Sequence, residues 1–171
     1  MMGSSIEVHS EEGKGSEFFF VLNLEESLGD KVTENSLEGA ENENPIPDFS
    51  GKKVLIVEDN MFNQKLIETL LEKYKFTCHV VSNGKEALKK IEEDDFDICL
   101  MDMHMPVLGG IETTEQLREN GCKMPVIALT AAATKEDMKK CFDAGMNDYI
   151  AKPIDEDEMI EKMMKCLEDG A

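Results

Sequence analysis

The hydrophobic pattern of the chain changes character twice. From position 51 onward, short unbroken apolar runs alternate with stretches whose apolar residues recur every three or four positions. The runs are VLIV (54–57), TCHVV (77–81), ICLM (98–101), VIAL (126–129) and DYIA (148–151). Each has strand length, and apolar side chains on both faces suit a parallel sheet covered by helices on each side. Between the runs, Phe62, Leu66, Ile67, Leu70 and Leu71 fall on one helical face. Ser82-Asn83-Gly84 opens a helix carrying Ala87, Leu88 and Ile91, and a short helix spans 111–117. Thr134 and Asp137 have capping-box character for a helix running to about Phe142, which Ala144-Gly145 stops. Asp155 is placed to cap a last helix with Met159, Ile160, Met163, Met164 and Leu167 on one face. Strand and helix alternate five times. This predicts an α/β domain over residues 51–171, a doubly wound five-stranded parallel sheet with helices on both faces.

Residues 1–24 follow a period of two instead. Ile6 and Val8 alternate with polar residues, SEEGKGS supplies a turn, and EFFFVLNL supplies a second strand. A lone β-hairpin is marginal in water, so this one is expected to be a remnant of a larger sheet. Its free edges and Phe side chains are expected to leave it poorly ordered or docked on a neighbour. Residues 25–50 are acidic, poor in large apolar groups and contain PIP near their end. They bury too little to offset their ordering entropy and read as a flexible linker.

Charge and cysteine content narrow the function. The formal net charge of −19 repels nucleic acid and anionic membranes, and favours a cationic ligand or a basic partner patch. Most of that charge is simply a solvated surface. Cys78, Cys99, Cys122, Cys141 and Cys166 lack CxxC spacing and read as reduced cysteines of a cytoplasmic protein. No apolar run has the length of a membrane span, and the first residues lack a signal-peptide pattern.

In open parallel sheets ligands bind beyond the carboxyl ends of the strands. The first strand here ends in Glu58-Asp59, the third in Asp102 and the fourth in Thr130. Lys152-Pro153 follows the fifth, while the second ends in Ser82-Asn83 without charge. Two carboxylates about 4 Å apart repel by roughly 4 kcal/mol at an effective dielectric near 20. Three together have raised pKa values or need a cation. An all-oxygen ligand set selects Mg²⁺ before Zn²⁺. Asp102 can then act as a nucleophile toward phosphorus, with Thr130 donating to a phosphoryl oxygen and Lys152 supplying positive charge. Singly, each residue has a plainer explanation as a helix cap, strand-end hydroxyl or loop residue, and Asn60 is itself a candidate cap. It is their placement at one edge that carries the functional reading. His79 reads as a strand residue, His104 as a loop residue, and Gly109-Gly110 as a hinge into the next helix.

VLIVEDN, LMDMHMPVLGGIE, VIALTA and DYIAKPI resemble the receiver domain of two-component signalling, over roughly 52–167. The resemblance implies a flavodoxin-like fold with strand order 2-1-3-4-5. It implies that Asp102 is the phosphoacceptor and that Asp59 ligates Mg²⁺, or Mn²⁺ in its place, with Glu58 acting through water. The backbone carbonyl of His104 matches a third protein ligand. Thr130 matches the switch hydroxyl, Lys152 the conserved lysine of a usually cis Lys-Pro peptide, and Tyr149 the aromatic that moves with the hydroxyl. Gly109 stands where many relatives have Asp. MMGSSIEVHSEEGKGSEFFFVLNL resembles the last strands of a histidine-kinase ATP-binding domain, with Ser4 in place of a Gly and Asn23 in place of a Pro. Together the pieces resemble the C-terminal part of a hybrid histidine kinase. The ATP-contacting boxes and the phosphorylated-histidine helix are absent from these 171 residues, so they are not expected to phosphorylate themselves from ATP. The implied partners are the phosphohistidine of a kinase dimerisation domain and a histidine phosphotransfer protein docking near Met61, Phe62 and Asn63. Three alternatives stand beside this reading: a protein-binding pseudo-receiver, a phosphoester hydrolase with an Asp nucleophile, and a flavin protein of the same fold. The hydrolase lacks a second Asp at position 104, and the flavin protein lacks a phosphate-holding loop after the first strand.

Overall fold

The computed structural model describes residues 6–11, 15–20, 47–131 and 134–169. The chain divides into two compact units, 1–44 and 45–171. In the first, strands β1 (Ile6–Glu11) and β2 (Gly15–Phe20) pair antiparallel, with Ile6 opposite Phe20 and Glu11 opposite Gly15. The predicted end of that second strand, at 21–24, and the linker up to residue 46 lie outside the described residues.

The second unit runs β3 (Lys53–Val57), α1 (Met61–Lys73), β4 (Thr77–Val81), α2 (Gly84–Glu93), β5 (Ile98–Asp102), α3 (Gly110–Glu119), β6 (Val126–Thr130), α4 (Lys135–Asp143), β7 (Asp148–Ala151) and α5 (Glu156–Asp169). Its five strands are parallel in the order β4-β3-β5-β6-β7. Counted within this unit, that is 2-1-3-4-5, the flavodoxin-like order. Successive strand residues point to opposite faces, so the sheet splits the core in two. Val54, Ile56, Leu100 and Leu129 pack under α1 and α5 with Ile67, Leu71, Met159 and Met163. Leu55, Val57, Met101 and Ala128 pack on the other face with Ala87 of α2 and Cys141 of α4. All five cysteines are free thiols, and burial pushes Cys78 up to about 11.

Helix starts follow local chemistry. Asn60 Oδ1 accepts from the Phe62 and Asn63 amides, and Asn83 accepts from the Glu86 amide. Thr134 Oγ1 accepts from the Asp137 amide and donates to its carboxylate at 2.6 Å. Asp155 Oδ1 accepts from the Glu158 amide at 3.0 Å.

The apolar face expected for α1 needs correction. Ile67 and Leu71 are buried, but Phe62 is 87% exposed and Leu66 48%. These two lie one turn apart on the flank of the helix, and Phe62 stands in the first turn, beyond the sheet's carboxyl edge. The α/β unit also begins earlier than the hydrophobic runs. Phe49 stacks on Phe76 with centroids 4.4 Å apart, its amide donates to the Tyr74 carbonyl, and Asp48 pairs with Lys75. No helix among the described residues is long and apolar enough to cross a membrane.

Candidate phosphoacceptor site

The carboxyl ends of β3 and β5 bring the predicted acidic residues together. One oxygen from each of Glu58, Asp59 and Asp102 lies within 4.8 Å of the others. Glu58 and Asp102 are buried and Asp59 is exposed, so the cluster opens to solvent on one side. Lys152, just past β7, sends its ammonium between the two buried carboxylates, 2.7 Å from Glu58 Oε2 and 2.9 Å from Asp102 Oδ2. Burial pushes the Lys152 pKa down, but the hydrogen bonds it donates to Asp102 and Glu58 outweigh it and hold the value above that of an ordinary lysine. Three carboxylates against one ammonium leave two negative charges, which is the charge of one divalent cation. The donors are all oxygens, one of them solvent-facing, and they fit Mg²⁺, which keeps several of its waters.

The other predicted residues sit around this cluster. Thr130 is buried at the end of β6, and its carbonyl accepts from the Lys152 amide at 2.7 Å. The Lys152-Pro153 peptide is cis. The His104 amide donates to Asp102 Oδ1 at 3.2 Å, while the His104 side chain is exposed. Tyr149, half-buried on β7, meets Phe142 edge-on, with ring centroids 6.4 Å apart. His79 packs edge-on against Phe96 and takes no part in the cluster.

Sequence reasoning missed the residues that hold Glu58. Asn63 Nδ2 donates to Glu58 Oε1 at 2.9 Å, joined there by the Asn60 amide at 3.3 Å. Gln64 Nε2 donates to the Glu58 carbonyl at 2.6 Å. The available signal was a pair of side-chain amides in the first turn of the helix that directly follows the acidic pair.

The loop from Asp102 to α3 is more constrained than a hinge. The Met103 amide donates to the Leu129 carbonyl, and the Gly110 amide to the Met103 carbonyl. A Cβ at Gly110 would stand 2.3 Å from the Asp102 carbonyl oxygen, so only glycine lets α3 start against the strand that carries Asp102. Midway, the Leu108 amide donates to the Pro106 carbonyl and Val107 has φ +72°. That is a positive-φ γ-turn on a β-branched residue, a strained arrangement of the kind concentrated at functional sites.

Known proteins agree with this geometry. Residues 54–164 match the response regulator receiver domain family. The autoinducer 2 sensor kinase/phosphatase LuxQ of Vibrio vulnificus is 34% identical over 168 residues, 96% of this chain but 19% of that protein. The chain thus spans about a fifth of the length of that relative. The receiver domain of sensor histidine kinase PA1611 from Pseudomonas aeruginosa was solved with magnesium coordinated in its active-site cleft. It is 39% identical with a TM-score of 0.65, over 70% of this chain and 99% of that one. The receiver domain of Ssk1 from Saccharomyces cerevisiae was solved with the histidine phosphotransfer protein Ypd1. That match is 32% identical with a TM-score of 0.64, over 71% of this chain and 90% of the other. On the match over residues 54–164 and the shared fold, this chain belongs to the response regulator receiver domain family.

Proposed function

We propose that the α/β unit is the phosphoacceptor of a phosphorelay, taking a phosphoryl group from phosphohistidine onto Asp102 and passing it to a histidine phosphotransfer protein. One observation carries this reading: the Lys152 ammonium bridges Glu58 and Asp102 inside a three-carboxylate cluster that retains two negative charges. Asp102 Oδ attacks phosphorus, the P–N bond breaks as the O–P bond forms, and the imidazole leaves neutral if its other nitrogen carries a proton. Lys152 is placed to bind a phosphoryl oxygen, and the Thr130 hydroxyl donates to another. Asp59, Asp102 and the His104 carbonyl would hold Mg²⁺, with Glu58 acting through water. When bound, the ion neutralises charge on the transferring group. Tyr149 follows the Thr130 hydroxyl and changes the surface of α4, β7 and α5, biasing a two-state element.

Met61 and Phe62, 78% and 87% exposed in the first turn of α1, supply an apolar docking surface next to the cluster. A partner docked there would present its histidine to Asp102. The complex of the Ssk1 receiver with Ypd1 supports a partner of this class. The alignment with a sensor kinase over 96% of the chain supports residues 1–24 as the end of a kinase ATP-binding domain.

The test is transfer from a phosphorylated histidine phosphotransfer protein, read by radiolabel. Phe62→Glu is expected to slow transfer at least tenfold while leaving phosphorylation by acetyl phosphate intact. Unchanged transfer rates would remove α1 as the docking surface, and no transfer to wild type would remove the relay.

A further inference from the structure

The Tyr149 ring is gripped from two helices. Phe142 of α4 meets it edge-on, and Lys162 of α5 places Nζ 4.4 Å from the ring centroid. The same ammonium donates to the backbone carbonyl of Tyr149 and to Glu158 Oε1 at 2.8 Å, and it lies 3.5 Å from Asp148 Oδ1. Its side chain is only 20% exposed. Burial pushes its pKa down, but Glu158 and Asp148 outweigh this, so the group stays charged at neutral pH.

A largely desolvated cation over an aromatic face attracts the ring. Here the cation is also pinned, by a carboxylate on its own helix and by a carbonyl and a carboxylate on β7. If the ring moves toward Thr130, the ammonium cannot follow, and the attraction is lost. Lys162 takes no part in the acidic cluster, so phosphoryl transfer does not itself require it.

We propose that Lys162 is a positioning residue that holds Tyr149 between α4 and α5 in the unphosphorylated protein and so sets the threshold for switching. This rests on Tyr149 being the aromatic that follows the Thr130 hydroxyl.

The test labels the full chain with 3-fluorotyrosine and reads ¹⁹F resonances during titration with beryllofluoride and Mg²⁺. The chain has two tyrosines, and Tyr74→Phe assigns them. The Tyr74 hydroxyl is bound to Glu156, and its resonance serves as a folding control. In wild type the Tyr149 resonance shifts as beryllofluoride binds. In Lys162→Met it starts part of the way toward that position, and half-saturation falls roughly three- to tenfold. Lys162→Arg keeps the charge and stacks on aromatic faces, and it restores the wild-type behaviour. Lys162→Gln replaces the Met variant if that one unfolds. Wild-type behaviour in Lys162→Met or Lys162→Gln overturns this proposal alone, as does failure of Lys162→Arg to restore it. A Tyr149 resonance indifferent to bound beryllofluoride in wild type overturns both the switch reading and the proposal.

Discussion

Both ends of the parallel sheet carry lysine–carboxylate pairs, yet they are built for opposite purposes. At the amino end, Lys52 pairs with Asp97 at 2.9 Å and Lys53 with Asp94 at 2.7 Å. The Lys53 amide also donates to Asp97 at 2.8 Å. Two cations meet two anions there, and all four side chains keep substantial contact with water. At the carboxyl end, Lys152 faces Glu58 and Asp102 with Asp59 beside them, and Glu58 is 1% exposed. A balanced, wet set fastens a loop to a strand. An unbalanced set with two of its three carboxylates buried leaves a demand for positive charge, which a divalent cation would meet.

The sharpest way to break the comparison is to remove one lysine from each end. Lys152→Met strands two buried carboxylates and is expected to cost about 3 kcal/mol in chelator. Added Mg²⁺ should return part of that loss, because the freed charge is what the ion binds. Denaturant midpoints with and without Mg²⁺ measure both. Gly110→Ala attacks the same end through the backbone, since the new Cβ would collide with the Asp102 carbonyl. A cost of about 2 kcal/mol is expected, with loss of phosphorylation by acetyl phosphate. Val107→Gly relieves the positive φ and should stabilise the protein by about 1 kcal/mol, seen as a higher denaturant midpoint.

The amino end should respond weakly. Lys52→Met is expected to cost less than about 1 kcal/mol, with no dependence on Mg²⁺. Its signature is acid sensitivity. Burial pushes the Asp97 pKa up, but the Lys52 ammonium and the Lys53 amide outweigh it and hold the value below the usual carboxylate range. The Lys53 ammonium lowers Asp94 likewise. Because these folded pKa values are depressed, their stabilisation is complete above the unfolded carboxylate value near 4 and is lost as pH falls through the folded values. Denaturant midpoints between pH 6 and pH 3 should therefore fall less steeply in Lys52→Met than in wild type.

The sequence exposes this division only in part. Five apolar runs alternating with helical periods define the sheet, because buried parallel strands need apolar side chains on both faces. The carboxyl-end residues are legible because each follows a run directly, so strand ends alone place Glu58, Asp59, Asp102, Thr130 and Lys152 on one edge. Three features escape that logic. Asn63 and Gln64 reach back from a helix to Glu58, one to its carboxylate and the other to its backbone carbonyl, contacts that no periodicity reports. Phe62 and Leu66 look like core residues because periodicity cannot show where the sheet beneath a helix stops. The role of Gly110 depends on a through-space approach to Asp102, whereas in sequence Gly109-Gly110 is only a flexible pair.

The central claim is that Asp102 is a metal-dependent phosphoacceptor, and intact mass tests it most directly. Wild type and Asp102→Asn are incubated with acetyl phosphate, with and without Mg²⁺. The account predicts one labile phosphoryl adduct in wild type, dependent on Mg²⁺ and absent from the variant. An adduct that persists in Asp102→Asn, or that forms equally well in chelator, would contradict it.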